Sequence, residues 1–255
     1  DSFSEEEKRK VTNNDLGMTY LLGRHYQKAL KQFQTDLLFY KNLGDGLLIS
    51  RCHYNLAETY AALDNQEKTI QHYKTCALTC QKSRNRELLL RAYNGLGNVY
   101  FNKKDYKNSL VYYRRSLVLC ENIGDMKSHA AISINIGLIH NQIKEWDQAL
   151  TYLQPAVTFF KKIVNKSAFD WFYLYRGILE AADVKQKQND LDTAESLLDE
   201  ALSIVSQTEG LTQQRFWIYA AKYELALDRG HHYEAQRIFK QLEDFSLDEE
   251  QNKKL

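Results

Sequence analysis

The chain has 255 residues, with 34 lysines and arginines, 33 aspartates and glutamates, and a formal net charge of +1 at pH 7. This balance gives no electrostatic reason to expect binding of nucleic acid, which needs a basic surface. One proline and eleven glycines argue against a β-sandwich, a barrel or a disordered linker. The sequence has no run of about 18 apolar residues, so it predicts no transmembrane helix. Its first ten residues, DSFSEEEKRK, contain no hydrophobic signal region.

A repeat of 40 residues organises the sequence. The stretches VTNNDLGMTY, RCHYNLAETY, RAYNGLGNVY and AISINIGLIH begin at residues 11, 51, 91 and 131. Each carries a small residue at the same place, namely Gly17, Ala57, Gly97 or Gly137, after a bulky aliphatic residue. An internal period of 20–50 residues is typical of a solenoid. We expect each small residue to lie where two helices cross closely.

Each unit contains two predicted helices, because apolar residues at spacings of three and four are interrupted once by a polar turn such as NKKD. Turn residues near 44, 85, 124 and 165 close the units. The predicted units span about 4–43, 46–85, 87–125, 127–165, 167–209 and 211–244. Together they predict one domain over 1–255 with about twelve helices and no strand. Pro155 falls inside a helix, which we expect it to kink.

Both ends of the sequence carry capping-box patterns, in which a serine precedes a glutamate by three residues. Ser4 with Glu7 predicts a helix near the start, and Ser246 with Glu249 predicts that residues 246–255 begin a further, truncated helix. The first residue is not methionine. We therefore expect the sequence to be a piece of a longer protein.

The repeated leucine–glycine pair, the following tyrosine, and the alanine and aromatic of the second helix resemble the tetratricopeptide repeat. The resemblance covers residues of about 4–244 and implies an all-α, right-handed superhelix (an α-solenoid) of about six helix-turn-helix repeats. The unit of 40 residues exceeds the usual length of about 34. This longer form is similar to LGN/Pins G-protein signalling modulators, Tonsoku-like proteins, and bacterial peptide receptors of the Rap and NprR kind. The segments RAYNGLGNVY and CENIGD look most like LGN/Pins.

Motifs that carry catalysis are absent from the sequence. It has no glycine-rich phosphate loop, HExxH motif or nucleophile elbow. We therefore predict no enzyme activity, no catalytic residues, no cofactor and no metal. Cys80 and Cys120 lie 40 residues apart and are interpreted as buried packing positions, and His140, which replaces the repeat tyrosine, is interpreted in the same way. Cys76 and Cys80 lack a complementary Cys or His cluster that would complete a zinc site.

Polar residues recur in register on the first helix of each pair, the helix that lines the concave surface of such a solenoid. Asparagine can pair with both sides of a peptide bond, and arginine adds bidentate recognition of carboxylates. We predict a peptide groove for an extended or helical polypeptide segment with acidic groups; the alternative is an ordinary solvated helix face. A lysine-based clamp for a C-terminal carboxylate is disfavoured, because residues 14, 54, 94 and 134 include no lysine. The predicted groove residues are Arg51, Asn55, Glu58, Arg91, Asn94, Asn98 and Asn135.

The segment FDWFYLYRGILE, residues 169–180, places five aromatic residues within seven positions. A helix cannot bury all of them on one side. Trp171 and Tyr175 are therefore candidate aromatic anchors for a partner. The alternative is a helix covered on both flanks by neighbouring repeats.

The resemblance implies a non-enzymatic scaffold that binds a partner polypeptide. LGN/Pins proteins imply an adaptor in signalling or in cell polarity and spindle orientation. A peptide-responsive regulator of the Rap/NprR kind and a Tonsoku-like nuclear scaffold are the alternatives. Free thiols and the missing signal region favour the cytoplasm, with the nucleus as the alternative.

Overall fold

The computed structural model describes residues 16–206 and 212–252. All regular secondary structure in these two ranges is α-helical and none is a strand. Helix α1 is described for residues 16–22. The other helices are α2 Tyr26–Leu43, α3 Gly46–Ala62, α4 Gln66–Ser83, α5 Arg86–Asn102, α6 Tyr106–Ile123, α7 Met126–Gln142, α8 Trp146–Lys162, α9 Ala168–Lys187, α10 Leu191–Ser206, α11 Thr212–Asp228 and α12 His232–Asn252. The predicted all-α helical-repeat fold is thus confirmed over the described part of the chain.

Residues at the helix ends explain why the breaks fall where the sequence predicts them. Gly44 and Gly124 have φ of 69° and 75° and end helices α2 and α6 in the left-handed conformation that glycine adopts without strain. The side chains of Asp45, Asn65 and Asn85, spaced by twenty residues, each accept hydrogen bonds from backbone N–H groups in the next turn. Such N-caps stabilise a helix by about 1 kcal/mol each. The expected breaks near 44, 85, 124 and 165 are confirmed.

Two compact units make up the chain, Asp1–Ile132 and Ser133–Leu255, and the boundary between them falls within α7. Each unit has its own apolar clusters. In the first, one cluster includes Phe33 and Leu56 and another includes Tyr73 and Leu96. In the second, one cluster is built on Leu198 and its neighbours. The organisation of residues 1–255 as a single domain stays a prediction.

Small residues let the two helices of a repeat approach closely, as the sequence predicts. A Cβ built on Gly97 of α5 would lie 2.5 Å from the ring of Tyr113 on α6. At the equivalent places, a Cβ on Gly17 would lie 2.4 Å from Phe33, and one on Gly137 would lie 2.6 Å from Leu153. Real Cβ atoms do not approach side chains so closely, because cores are packed to near crystalline density. The repeated glycines are therefore architectural.

One expectation is wrong and another stays a prediction. Helix α8 runs from Trp146 to Lys162 with Pro155 inside it, and the kink expected there stays a prediction. Helix α12 continues through residue 246 to Asn252, so no new helix begins at Ser246. A serine-to-glutamate pattern also occurs inside helices, and nothing in the local sequence interrupts α12 there. The capping box expected at Ser4 and Glu7 lies outside the described residues.

Candidate functional site

A pocket of about 360 Å³ opens between the first helices of successive repeats in the unit that ends at Ile132. We call it the Arg51–Arg91 pocket. Helix α3 contributes Arg51, Tyr54 and Asn55, and α5 with its cap contributes Asn85, Glu87, Leu88 and Arg91. Met18 of α1 completes the lining. Three of the residues predicted for the groove, Arg51, Asn55 and Arg91, therefore line one pocket.

The repeat explains why these three side chains meet. Arg51 and Arg91 are 40 residues apart and occupy the same position on α3 and α5. Asn55 follows Arg51 by four residues, so both lie on one face of α3. Both arginines are exposed, whereas Asn55 is buried with 6% of its surface accessible. Neither arginine forms a salt bridge with another described residue.

The charge of the pocket is positive, since two guanidinium groups face one carboxylate, that of Glu87. Burial, followed by the charge of Glu58, raises the pKa of Tyr54, and Arg91 acts in the opposite direction. The Tyr54 hydroxyl therefore stays protonated at neutral pH, and its proton is engaged in a hydrogen bond to the carboxylate of Glu58. Asn85 already accepts a bond of 3.1 Å from the backbone N–H of Leu88 as the cap of α5.

Two predicted groove residues are engaged inside their own repeats. The Tyr73 hydroxyl donates to the carboxylate of Glu58. One repeat later, the Tyr113 hydroxyl donates to Oδ1 of Asn98 at 2.5 Å. Both tyrosines follow their acceptor by fifteen residues and lie on the second helix of the repeat. Glu58 and Asn98 thus join the two helices of a repeat, and neither lines the Arg51–Arg91 pocket.

Asn94 lies on α5 but does not line the pocket, and its Oδ1 is buried with no hydrogen-bond partner among the described residues. The position in register with Asn55 is Gly95. A Cβ at Gly95 would lie 2.4 Å from the ring of Tyr73, which leaves no room there for a second asparagine.

Asn135, the remaining predicted groove residue, belongs to the second unit. It is buried with 6% of its surface accessible, and its Oδ1 accepts from Nη1 of Arg176 on α9 at 3.3 Å. Arg176 also lies over the ring of Phe172 at 5.7 Å. Arg176 was not among the predicted groove residues, although it occupies the same repeat position as Arg51 and Arg91 if the fifth repeat is shifted by five residues relative to the 40-residue period.

Helices α7 and α9 are joined by a charged network that the sequence analysis did not predict. Nδ2 of Asn141 donates to Asp183 at 2.5 Å and to Glu180 at 3.2 Å. Nζ of Lys187 donates to Asp183 at 2.6 Å and to Asn141 at 3.2 Å. Burial raises the pKa of Glu180, partly offset by Asn141. The network links two first helices, so these polar groups contribute to packing within the unit.

Neither candidate aromatic anchor is fully exposed. Trp171 is half-buried, with Nζ of Lys166 5.1 Å from its ring centre. Tyr175 is half-buried, and its ring stands edge-on to that of Phe172 with 5.7 Å between the ring centres. Its side chain is hydrogen-bonded to Gln214. Phe169 and Phe172 expose more surface, 44% and 40%. The helix therefore divides its aromatic residues between the core and solvent.

Three of the histidine side chains and the four cysteine side chains pack inside the repeats. His140 is 4% exposed, stacks on Tyr152 at 5.6 Å and has Nδ1 2.6 Å from Glu145, which confirms its packing role. His53 and His72 bring their Nδ1 atoms to 3.0 Å, a contact that sequence analysis missed. Cys52, Cys76, Cys80 and Cys120 are all buried. Within the described ranges, no three His, Cys, Asp or Glu side chains are grouped to hold a metal.

The helices of the described residues also lack any segment both long and apolar enough to cross a membrane.

Comparisons with known proteins define the class of fold. Residues 88–162, which form most of α5 to α8, match the family model of the tetratricopeptide repeat. A search of curated proteins finds no match. The solved structures that are similar include those of repeat proteins, and with the family match they show that the fold is tetratricopeptide-like.

Three solved structures illustrate this similarity. BtubC from P. vanneervenii has a TM-score of 0.75 and 16% identity, over 88% of this chain and 92% of its own. RapI in its apo form has a TM-score of 0.75 and 15% identity over 89% of this chain. The chain spans 62% of the length of RapI. The quorum sensor NprR from B. thuringiensis, also apo, has a TM-score of 0.62 and 16% identity, over 92% of this chain and 75% of its own. At these identities the likeness concerns the fold alone.

Proposed function

We propose that the chain is a non-enzymatic protein-interaction scaffold whose first unit binds a partner polypeptide at the Arg51–Arg91 pocket. One observation carries the proposal: two exposed arginines in the same register of successive repeats converge, with Asn55, on one pocket. A solvated helix face needs no such convergence. Recurring polar positions on the first helices are the usual means by which a helical solenoid presents a binding surface.

The chemistry of the pocket favours an acidic segment. Each guanidinium can form two parallel hydrogen bonds with a carboxylate, and such charge-assisted bonds are about twice as strong as neutral ones. The Tyr54 hydroxyl donates to Glu58, so its oxygen can accept a hydrogen bond from a peptide N–H. Met18 and Leu88 offer apolar contact to the side chains between the acidic groups. We expect the partner to present at least one Asp or Glu beside an apolar residue.

The second unit offers a further candidate contact of the same kind. The side chains of Asn135 and Arg176 are hydrogen-bonded to each other. The helix that carries Arg176 also carries Trp171, Phe172 and Tyr175. Aromatic and arginine side chains are the residue types that most often anchor protein interfaces. We propose this cluster as a separate contact for the partner.

A peptide-responsive regulator is the second candidate function. The observation that favours it is the likeness in fold to RapI and to the quorum sensor NprR. The pocket volume of about 360 Å³ suits one or two side chains of a short peptide. In this case peptide binding should change hydrogen exchange in helices distant from the pocket, whereas a plain scaffold should show protection at α3 and α5 alone. The adaptor role in signalling or cell polarity, the Tonsoku-like alternative, and the cytoplasmic or nuclear location stay predictions from the resemblance.

Affinity measurements with matched double variants test the proposal. Peptides of twelve residues would be selected by phage display on the intact chain and measured by isothermal titration. We expect the double variant Arg51→Ala/Arg91→Ala to bind the selected acidic peptides with at least tenfold lower affinity. The control is Lys104→Gln with Lys144→Gln, which removes two exposed positive charges, also 40 residues apart, from the turns between paired helices. Unchanged melting temperatures would exclude a folding defect, and full affinity in the Arg51/Arg91 variant would contradict the proposal.

A further inference from the structure

The outer surface of the first unit carries a row of exposed aliphatic side chains. Leu38 on α2, Leu78 on α4 and Val118 on α6 are 66%, 61% and 56% exposed. Each is 40 residues from the next, so they occupy the same place on three successive second helices. Single exposed apolar residues are common on protein surfaces. A row that recurs in register is different, because equivalent positions of neighbouring repeats lie side by side.

Charge on the same three helices is strongly one-sided. Their exposed residues include nine lysines and arginines and two glutamates, although the whole chain carries a net charge of only +1. Lys74 and Arg114 precede Leu78 and Val118 by four residues, so each cation is on the same helical face as the aliphatic side chain. Lys41 follows Leu38 by three residues, so this cation also lies on the same face of α2 as the aliphatic side chain. The aliphatic row is thus bordered by positive charge.

A second pocket, of about 530 Å³, is lined by α2, the end of α3 and the start of α4. Leu30, Tyr60 and Leu63 give it apolar lining, and Lys31 and Lys68 add two exposed cations. Nζ of Lys68 lies 4.9 Å from the ring centre of Tyr60. On α2, Gln27, Lys31 and Gln34 line this pocket at spacings of four and three residues, and Leu38 follows Gln34 by four. Leu38 therefore lies on the same face of α2 as the residues that line the pocket.

We propose that this outer face, formed by α2, α4 and α6, is a second docking surface for an acidic amphipathic polypeptide segment. Its carboxylates pair with the lysines and arginines, its aliphatic side chains cover Leu38, Leu78 and Val118, and one apolar side chain enters the pocket beside Lys68. The face is distinct from the Arg51–Arg91 pocket, which is lined by residues of α1, α3 and α5 and the cap of α5.

The geometry favours a polypeptide over an anionic membrane surface. Helices that lie on membranes usually present Trp, Phe or Leu as a continuous apolar face. Here the exposed residues of α2, α4 and α6 include no aromatic side chain, and Leu43 and Val111 are the only large apolar residues exposed on them besides the row. A concave pocket suits an inserted side chain, whereas a bilayer is flat on this scale.

Peptide selection on the intact chain, followed by fluorescence anisotropy, tests the proposal. Peptides of sixteen residues would be displayed on phage and selected on the Arg51→Ala/Arg91→Ala variant, so that binding at the Arg51–Arg91 pocket cannot dominate the selection. We expect the selected peptides to be rich in Asp, Glu and aliphatic residues. Their affinity should fall at least tenfold in Leu38→Gln/Leu78→Gln and in Lys74→Ala/Arg114→Ala, and should weaken as salt is raised. Glutamine is a good helix former, so these variants should keep the fold.

The control is Leu47→Gln on α3, which removes a leucine of similar exposure, 52%, from a different helix. This variant should keep full affinity. The proposal would be overturned if no acidic peptide were selected, or if the selected peptides bound the outer-face variants as tightly as the parent. It would also be overturned if vesicles of phosphatidylcholine with phosphatidylserine bound the chain in a Leu78-dependent way while peptides did not. Because the selection uses a chain without Arg51 and Arg91, failure here leaves the proposed function untouched, and the converse also holds.

Discussion

The ring of Tyr113 occupies the space that a side chain at Gly97 would need. A Cβ at Gly97 would lie 2.5 Å from both Cδ1 and Cε1 of the ring. Ser109 reinforces the contact, because its hydroxyl donates a 2.8 Å hydrogen bond to the Gly97 carbonyl. Helix α5 therefore approaches α6 at a distance that only glycine permits, and the cost in helix propensity, about 1 kcal/mol, is offset by packing.

Substitution of Gly97 by leucine should lower the free energy of unfolding by more than about 2 kcal/mol, because overpacking typically costs 1–3 kcal/mol and the bulky ring of Tyr113 cannot move aside easily. Urea denaturation followed by circular dichroism would measure the change. The matched control is Gly46→Ala, whose added Cβ would have its nearest neighbour at 3.7 Å. We expect the control to be neutral or slightly stabilising, and an unchanged midpoint for Gly97→Leu would show that the crossing is not close.

Removal of the Tyr73 hydroxyl should destabilise the second repeat more than the equivalent change in the third. Tyr73→Phe takes a donor from the carboxylate of Glu58, and hydrogen bonds to charged groups are worth about 1.5–3 kcal/mol. Tyr113→Phe takes a donor from the neutral and exposed Asn98, for which about 0.5–1.5 kcal/mol is expected. Parallel urea titrations of the two variants compare the losses directly. Equal stability of Tyr73→Phe and the parent would mean that this hydrogen bond does not stabilise the repeat.

The period of the sequence was sufficient to predict the fold, because helix ends and helix crossings depend on local chemistry. Gly44 and Asp45 end one helix and cap the next wherever they occur in the chain. Gly97 could be assigned to a crossing because its small size recurs at the same place in other repeats. Helix α12 shows the limit: a capping pattern at Ser246 does not begin a helix where the preceding residues continue one.

The candidate site was less predictable, because contacts between side chains depend on which helices face each other. Register placed Arg51 and Arg91 on equivalent faces, but it could not show that Asn85 and Glu87, at the start of α5, complete their pocket. It also did not distinguish a polar side chain that faces solvent from one held by a tyrosine. A signal for the latter existed, since Tyr73 and Tyr113 recur at the same distance from Glu58 and Asn98.

The native thiols should react slowly with Ellman's reagent. All four cysteines are buried, and burial raises the pKa of Cys52 and of Cys120 to about 12. The thiolate is the reactive form, so both exclusion and protonation oppose labelling. We expect less than one thiol to react in native buffer over minutes, and all four in 6 M guanidinium (a concentration of about the size needed for full unfolding). Thr35→Cys, exposed on α2, provides a fast-reacting control. Labelling of two native thiols at the control's rate would contradict their burial.

Acid should destabilise the first unit through the pair of His53 and His72. Their Nδ1 atoms are 3.0 Å apart, so one ring donates and the other accepts, and two protonated rings would set two N–H groups against each other. Burial, the neighbouring His72 and Lys41 lower the pKa of His53 from 6.5 to about 4. Burial, Lys68 and Lys41 lower the pKa of His72 as well, and the ring of Tyr60 stacks on it at 5.4 Å.

The sign of the effect follows from these directions. Above pH 6.5 both rings are neutral in the folded and the unfolded chain, so the full stability is present. As the pH falls below that value the unfolded chain binds protons that the folded chain refuses, and stability is lost until about pH 4. Since one pKa unit corresponds to about 1.4 kcal/mol, His53 alone should account for a loss of about 2–3 kcal/mol. Urea titrations at intervals between these pH values would measure it. In His53→Gln/His72→Gln, whose amides can still pair, the loss should be much smaller, whereas the exposed control His232→Gln should keep the parent's pH dependence. The same acid sensitivity in the double variant and the parent would assign the effect to other groups.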